Sequence, residues 1–220
     1  MTLYQPTEKE IYGIDGTDGT GKERQTEELA SRLRSEGKKV KIFSFPRYDT
    51  GPGKLIRKLL NEGTMPKDPY QASLYYAVDR SCALPDMYAA FDAGYDALIL
   101  DRYVPANMGH QGSRIYNGFE RVKFFQWILD TEFGHHGLII PRKTFILDLP
   151  PDIALQRMVA AGKVLDTVER DMNHQRRSHR VYQEIVGVMP GACLISCMEG
   201  SRALSIEEVH ERIWEEIQKK

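Results

Sequence analysis

Residues 11–23, IYGIDGTDGTGKE, decide the fold of this chain. The apolar run at 11–14 predicts a short buried strand, and Leu29 and Leu33, four residues apart, predict a helix over 23–36. Between them, Gly16 to Lys22 has the spacing G-x-x-x-x-G-K. Glycines let backbone N–H groups curl around an anion, and the N-terminus of the following helix adds partial positive charge. The stretch therefore predicts a phosphate-binding loop whose lysine reaches the outer phosphates of a nucleotide.

The same alternation of short apolar and longer amphipathic runs continues on both sides of the loop. Further strands are predicted at 39–45, 97–100, 144–147 and 193–196, and further helices at 70–79, 119–133, 151–160, 169–186 and 205–219. Strands that alternate with helices favour right-handed crossovers and a parallel sheet. The prediction is a single α/β domain over residues 1–220, with a five-stranded parallel sheet, helices on both faces and a short flexible N-terminus at 1–9.

The predicted sheet also indicates where a ligand binds. Ligands of such sheets lie beyond the carboxyl ends of the strands. Asp15, Pro46, Asp101 and Asp148 stand at four of those ends, so we expect them to face one crevice.

Composition narrows the classes of function. Thirty basic against thirty-one acidic residues give a net charge of −1, which argues against a general nucleic-acid-binding protein. The start, MTLYQPTEKE, lacks the basic and apolar regions of a signal peptide, and no run approaches the roughly 18 apolar residues of a membrane helix. Three cysteines without zinc-ligand spacing indicate a reducing compartment. We therefore expect a cytoplasmic protein without nucleic-acid or membrane partners.

Glu23 departs from the usual pattern of a phosphate-binding loop. The residue after the lysine is commonly Ser or Thr, whose hydroxyl binds Mg²⁺. A carboxylate could bind Mg²⁺ itself, could add unfavourable charge beside the phosphates, or could turn outward at the helix N-terminus. The sequence leaves these three alternatives open.

Five more motifs accompany D-G-x-D-G-x-G-K at 15–22. They are F-P-R-Y at 45–48, Y-A-x-D-R at 76–80, D-R-Y-V-x-x-N at 101–107, L-D-L-P-P at 147–151 and D-x-x-E at 166–169. In this order, from about residue 11 to 197, the chain resembles the thymidylate kinase family of P-loop nucleoside-monophosphate kinases. The resemblance implies a three-layer P-loop NTPase fold and an enzyme that transfers the ATP γ-phosphoryl group to dTMP with Mg²⁺. It also implies a homodimer.

The resemblance implies roles for individual residues. The ATP-binding set is Gly16, Thr17, Asp18, Gly19, Thr20, Gly21, Lys22, Glu23 and Arg24. The acceptor-binding set is Asp18, Phe45, Arg47, Tyr76, Arg80, Arg102, Asn107, His110 and Gln111. Within it, Arg47 and Arg102 would grip the 5′-phosphate, Tyr76 would stack on the base, and Arg80 and Asn107 would contact the base edge.

The remaining implied roles concern catalysis, the lid and the metal. The catalytic set is Lys22, Arg102, Asp18 and Arg47. A lid at about 158–167 would involve Arg157, Lys163, Asp166 and Glu169. Asp101 would orient Arg102 or a metal-bound water. Apart from the resemblance, the carboxylates of Glu23 and Asp101 are the candidate Mg²⁺ ligands. No general base is needed, because a phosphate monoester with a second pKa of about 6 is already mostly ionised. Catalysis would then rest on positioning and on cations.

Three departures from the family pattern keep alternatives open. The family supplies a transition-state arginine either from the phosphate-binding loop or from the lid. Here the loop position holds Gly19, and the one cation of the lid is Lys163. Arg157 and Arg170 are the nearest remaining candidates. This favours a catalytically impaired, nucleotide-binding relative as one alternative. His110 replaces a tyrosine that screens against a ribose 2′-hydroxyl, and Ala106 replaces a serine. These two changes favour, as the other alternative, a kinase for other or several nucleoside monophosphates.

Overall fold

Five parallel strands form the central sheet. The structure is a computed structural model that describes residues 4–165 and 170–219. The strands are β1 (Glu10–Gly16), β2 (Val40–Ser44), β3 (Ala97–Asp101), β4 (Lys143–Asp148) and β5 (Ala192–Ser196), in the spatial order β2-β3-β1-β4-β5. Every neighbouring pair is parallel, which confirms the predicted sheet. The phosphate-binding loop follows β1, so it leaves the sheet at its centre.

Helices cover both faces of the sheet. They are α1 (Lys22–Ser35), α2 (Gly51–Asn61), α3 (Pro69–Ser81), α4 (Leu84–Asp92), α5 (Val104–Gly112), α6 (Gly118–Leu129), α7 (Pro151–Ala160), α8 (Met172–Ile185) and α9 (Ile206–Gln218). A short hairpin of β6 (Met198–Glu199) and β7 (Arg202–Ala203) precedes α9. The helix predicted at 119–133 ends as an α-helix at Leu129 and continues as a π-helical turn, Asp130–His135.

Three helices, α2, α4 and α5, were not predicted. Each has proline in its first turn, at Pro52, Pro85 and Pro105. Proline is a helix breaker in most positions, but the first turn has no intrahelical partner for its missing N–H. In the first turn, proline therefore marks a helix start rather than a break.

Two apolar layers hold the helices on the sheet. On one face, Leu29 and Leu33 of α1 pack with Ile213 of α9; on the other, Phe124 and Phe125 of α6 belong to the second core. All five side chains are almost fully buried. The result is the predicted three-layer arrangement, helix–sheet–helix.

The N-terminal segment lies against the π-helical turn. Tyr4 donates a hydrogen bond from its hydroxyl to Asp130 Oδ1 at 2.8 Å, and its ring centroid is 6.1 Å from that of Phe133. Flexibility of residues 1–9 stays a prediction. In the described part of the chain, no helix combines the length and apolarity needed to cross a bilayer.

Candidate active site

The phosphate-binding loop closes around its own lysine. Gly16 has φ +141°, and a Cβ there would lie 2.8 Å from the Leu147 carbonyl oxygen of β4, so only glycine fits. Lys22 is buried, and its Nζ donates to the carbonyl oxygens of Gly16 at 2.9 Å and Thr17 at 2.6 Å. Burial, followed by the charge of Arg102, lowers the pKa of Lys22. The loop thus holds the ammonium group beside the carboxyl end of β1.

Arg102 is directed towards the loop by an unusual backbone. It is the one non-glycine residue with positive φ, +59°, in the described part of the chain, and its N–H donates to Ile14 O at 3.1 Å. Its Nη2 donates to Asp18 Oδ1 at 3.2 Å, and Lys22 Nζ lies 3.7 Å from the same oxygen. Burial alone would raise the pKa of Asp18, but Lys22, His110 and Arg102 hold it well below its usual range. Asp18 is therefore a carboxylate between two cations.

The second predicted set of residues lines a cavity of about 390 Å³ beyond Asp18. The members that line it are Asp18, Phe45, Tyr76, Arg80, Arg102, Asn107, His110 and Gln111. Burial raises the pKa of Tyr76 to about 12 and lowers that of His110 to about 4, so both rings are uncharged at neutral pH. We call this space the acceptor cavity.

Arg47, the remaining member, is not part of the cavity wall formed by the described residues. Its Nη1 donates to Asp86 Oδ2 at 2.7 Å, and its Nη2 to the Asp79 carbonyl oxygen at 3.3 Å. Its backbone N–H donates to the buried Asp79 carboxylate at 2.9 Å. Asp79 therefore fixes the segment after β2, and contact of Arg47 with a phosphate stays a prediction.

Gly53 of α2 makes that segment sensitive to mutation. A Cβ at this position would lie 1.9 Å from the Arg47 carbonyl oxygen and 2.8 Å from Tyr48 N. We expect Gly53→Ala to lower the free energy of unfolding by about 2 kcal/mol, because the backbone must move to relieve this overlap. Urea unfolding measures the effect. The control is Gly51→Ala in the same helix, where a Cβ meets nothing within 4 Å; equal destabilisation by both changes would contradict the prediction.

A larger cavity of about 770 Å³ lies on the other side of the loop. Of the predicted ATP-binding set, its walls include Gly19, Thr20, Gly21, Lys22, Glu23 and Arg24. The opposite wall comes from α7 and from residues 204–207 before and within α9. We call it the donor cavity. Arg102 and Lys163 line both cavities, so the two spaces adjoin at these cations.

Part of the predicted lid surrounds the donor cavity. Arg157 lines this cavity, and its Nη2 donates to the Leu204 carbonyl oxygen at 2.7 Å. Lys163 lies at the junction of the cavities. Asp166 and Glu169 lie outside the described residues.

Glu23 and Asp101, the residues predicted to bind a metal, differ in their exposure. Glu23 is exposed in the first turn of α1. Asp101 is buried, and its Oδ1 has no hydrogen-bond partner among the described residues, while burial raises its pKa. Within residues 4–165 and 170–219, no group of three or more His, Cys, Asp or Glu side chains is placed so that it could hold a metal ion. Mg²⁺ at a nucleotide needs only one or two carboxylates, because phosphates and waters complete its shell. Glu23 and Asp101 therefore each supply the kind of oxygen ligand that Mg²⁺ takes.

Asp15 forms a buried polar contact that the sequence did not indicate. Its Oδ1 accepts hydrogen bonds from Gly16 N at 2.9 Å and from the Tyr182 hydroxyl of α8 at 2.8 Å. Burial raises the pKa of Asp15 to about 6, although Lys22, the Gly16 N–H and Tyr182 oppose the shift. Asp15 thus ionises at a higher pH in the folded chain than in the unfolded one.

This shift predicts a pH-dependent effect of Asp15→Asn. At pH 3 the carboxyl is mostly protonated in both the folded and the unfolded state, whereas at pH 7 it is mostly ionised in both, and its burial then destabilises the folded state. Asparagine does not titrate, so the unfolding free energy of the variant minus that of the wild type should increase by about 3 kcal/mol between pH 3 and 7. Urea unfolding at several pH values measures it. A pH-independent difference would refute the assignment.

Sequence patterns also missed the buried partners of the cavity residues. Arg80 donates to Glu132 through Nε at 2.6 Å and Nη2 at 2.7 Å, and Asn107 Nδ2 donates to Glu132 Oε1 at 2.9 Å. Glu132 lies in the π-helical turn, 52 residues after Arg80, and no local pattern links the two. A functional contact of Asp79 could have been predicted, because this residue precedes Arg80 in the Y-A-x-D-R motif at 76–80.

Comparison with known proteins gives consistent matches. The family model described as thymidylate kinase matches residues 14–213. Similar sequences include the thymidylate kinase of Mycobacterium tuberculosis H37Rv, 29% identical over 183 residues (80% of this chain, 85% of the relative). That of Caldicellulosiruptor saccharolyticus is 31% identical over 203 residues (91% of each chain). A solved Candida albicans thymidylate kinase has a similar fold, with TM-score 0.73 and 21% identity, covering 96% of this chain and 91% of that one.

Proposed function

The chain belongs to the thymidylate kinase family, and on that premise we propose that ATP and dTMP lie end to end in the donor and acceptor cavities. The activity is transfer of the ATP γ-phosphoryl group to dTMP, giving ADP and dTDP. One observation carries the proposed arrangement: Arg102 lines both cavities and is tethered to Asp18, which lines the acceptor cavity. Two polyanions can react only where cations offset their repulsion, and the junction supplies such cations.

Each residue at the junction has a distinct proposed role. The loop amides and Lys22 bind the outer phosphates of ATP. Arg102 binds the acceptor phosphate, and its planar group can contact two oxygens at once. Asp18 orients Arg102 and Lys22 through their shared carboxylate oxygen. The attacking oxygen of dTMP is already ionised near neutral pH, so the site needs no general base.

Glu23 and Asp101 are the proposed protein ligands of Mg²⁺. The ion, when bound, neutralises charge on the phosphates of ATP. Glu23 lines the donor cavity beside Lys22, and Asp101 ends β3 immediately before Arg102. The two carboxylates thus approach the phosphate-binding loop from α1 and from the sheet. The lid roles of Arg157, Lys163, Asp166 and Glu169 are proposed on the family resemblance.

We further propose a cytoplasmic homodimer. Leu55 of α2 and Leu74 and Val78 of α3 are each more than 40% exposed. They line one apolar groove between these helices. Phe119 and Val122 expose a further apolar surface on α6. Apolar surface on this scale favours association with a second protein surface, and sedimentation would give the oligomeric state.

The function is tested by ADP release with magnesium across dTMP, dUMP, dCMP, dGMP and UMP. We expect the highest kcat/KM with dTMP. A purine preference would contradict the acceptor assignment, and nucleotide binding without ADP release would favour the impaired relative. Glu23→Ser should be titrated with magnesium in the same assay. Weaker activation by magnesium would support Glu23 as a ligand, whereas stronger activation would contradict that role.

A further inference from the structure

The guanidinium of Arg47 lies between two carboxylates of unequal exposure. Its Nη1 donates at 2.7 Å to Asp86 Oδ2, in the first turn of α4, and the Asp86 side chain is 65% exposed. On the inner side, Asp79 is buried and lines the acceptor cavity, and its Oδ1 lies 3.7 Å from Arg47 Nε. Arg47 thus makes its short charge-assisted bond to the outer carboxylate, which is not part of the cavity wall formed by the described residues.

The main chain of Arg47 is held firmly, whereas its side chain is incompletely bonded. Its N–H donates to Asp79 Oδ2 at 2.9 Å, and its carbonyl oxygen accepts bonds from the N–H and the hydroxyl of Thr50 at 2.9 and 2.8 Å. Nε is buried without a hydrogen-bond partner among the described residues, and Nη2 reaches a main-chain oxygen at 3.3 Å. Unsatisfied donors favour a better partner, and the side chain can turn to one while the backbone stays in place.

The place of this backbone makes the acceptor cavity accessible to the guanidinium. Pro46 and Tyr48, the neighbours of Arg47 in the sequence, both line the cavity. A long arginine side chain that begins between two wall residues can reach the space that they enclose. We therefore expect two positions of the guanidinium, one bonded to Asp86 and one facing the cavity.

The partners available in these two positions differ in strength. An exposed ion pair contributes little to stability. A phosphate monoester carries about −1.5 to −2 charges at neutral pH, and a guanidinium can bind two of its oxygens at once. A phosphate in the cavity therefore wins the competition for Arg47, but only after the bond to Asp86 is broken.

We propose that Asp86 is a positioning residue that holds Arg47 outside the acceptor cavity until the phosphate of the acceptor displaces it. This rests on the proposed function, in which that phosphate enters the acceptor cavity. Asp86 lowers the affinity for the acceptor nucleotide, because binding must break its bond to Arg47. A nucleoside without a 5′-phosphate leaves the Arg47–Asp86 pair intact.

The test variant is Asp86→Asn, which keeps the shape of the side chain and removes its charge. Calorimetry compares the binding of dTMP and thymidine, which differ only in the 5′-phosphate. The control is Asp92→Asn, at an exposed aspartate in the last turn of the same helix. It makes the same change in the net charge of α4 but leaves the Arg47–Asp86 pair in place.

We expect Asp86→Asn to bind dTMP about threefold more tightly and thymidine with unchanged affinity. The KM for dTMP should fall by the same factor, whereas the KM for ATP should not change. A purely structural role of Asp86 at the start of α4 would change the affinity for both ligands alike. That result, or dTMP binding no tighter than in the wild type, would overturn the inference and leave the kinase function standing. Wild-type protein that releases no ADP with dTMP would instead refute the proposed function.

A double variant tests whether the effect passes through Arg47. Arg47→Met removes the guanidinium and keeps much of its length, so adding Asp86→Asn to it should no longer tighten dTMP binding. If Asp86→Asn gives the same gain with methionine at position 47, the gain reflects the charge of Asp86 acting directly on the phosphate. The inference is then wrong.

Discussion

Lys22→Ala is expected to lower kcat for ADP formation by about a thousandfold or more, with little change in dTMP binding. Lys22 is buried at the start of α1, lines the donor cavity, and is held by two carbonyl oxygens of its own loop. When ATP binds, we expect the ammonium group to exchange these carbonyl oxygens for the phosphates of ATP. There it offsets the negative charge that develops during phosphoryl transfer. Alanine cannot supply that charge. Steady-state ADP release and dTMP calorimetry measure the two quantities.

The matched control for this change is Lys38→Ala. Lys38 pairs with Glu10 at 2.8 Å at the opposite end of β1, away from both cavities. It should retain near wild-type turnover, since a partly exposed ion pair contributes little. If Lys22→Ala retains more than about a tenth of wild-type kcat, the donor-site assignment is wrong.

Arg102→Met is the second change with a very large expected effect. Arg102 lies at the junction of both cavities, and methionine keeps much of its length while removing the charge. We expect kcat to fall by about a thousandfold, the range of transition-state arginines. Arg102→Lys should recover only part of this loss, because lysine keeps the charge but not the planar two-point contact.

The control is Arg176→Met, at an exposed ion pair with Asp152 outside both cavities. It should leave kcat close to the wild-type value. Single-turnover measurements separate the chemical step from product release. If the chemical step is equally fast in Arg102→Met and Arg176→Met, then Arg102 has no direct role in phosphoryl transfer.

The sheet was predictable because local patterns determine it. Each strand is a short apolar run, and the glycine-rich loop after β1 requires a strand before it and a helix after it. Helices α2, α4 and α5 were missed although each has a helix-start signal, proline in its first turn, at Pro52, Pro85 and Pro105. The same signal at Pro151 begins α7, which was predicted. The organisation of residues 1–220 as a single domain stays a prediction.

The candidate site was predictable where a motif places a side chain at the end of a strand. Asp18 and Arg102 follow neighbouring strands β1 and β3, and parallel order brings them within hydrogen-bond distance. Ion pairs between side chains that are far apart in the sequence were not predictable. Arg47 turns towards Asp86, and Arg80 towards Glu132, because helices packed by the whole core bring these carboxylates close.

The left-handed backbone of Arg102 implies that thermal stability and catalysis favour different residues at this position. A side chain in this conformation costs about 1–2 kcal/mol, whereas glycine adopts it readily. Arg102→Gly should therefore melt at a higher temperature than Arg102→Ala, while both lack phosphoryl transfer. Thermal stability alone would favour glycine at this position, so an arginine here is what we expect if Arg102 binds the acceptor phosphate as proposed.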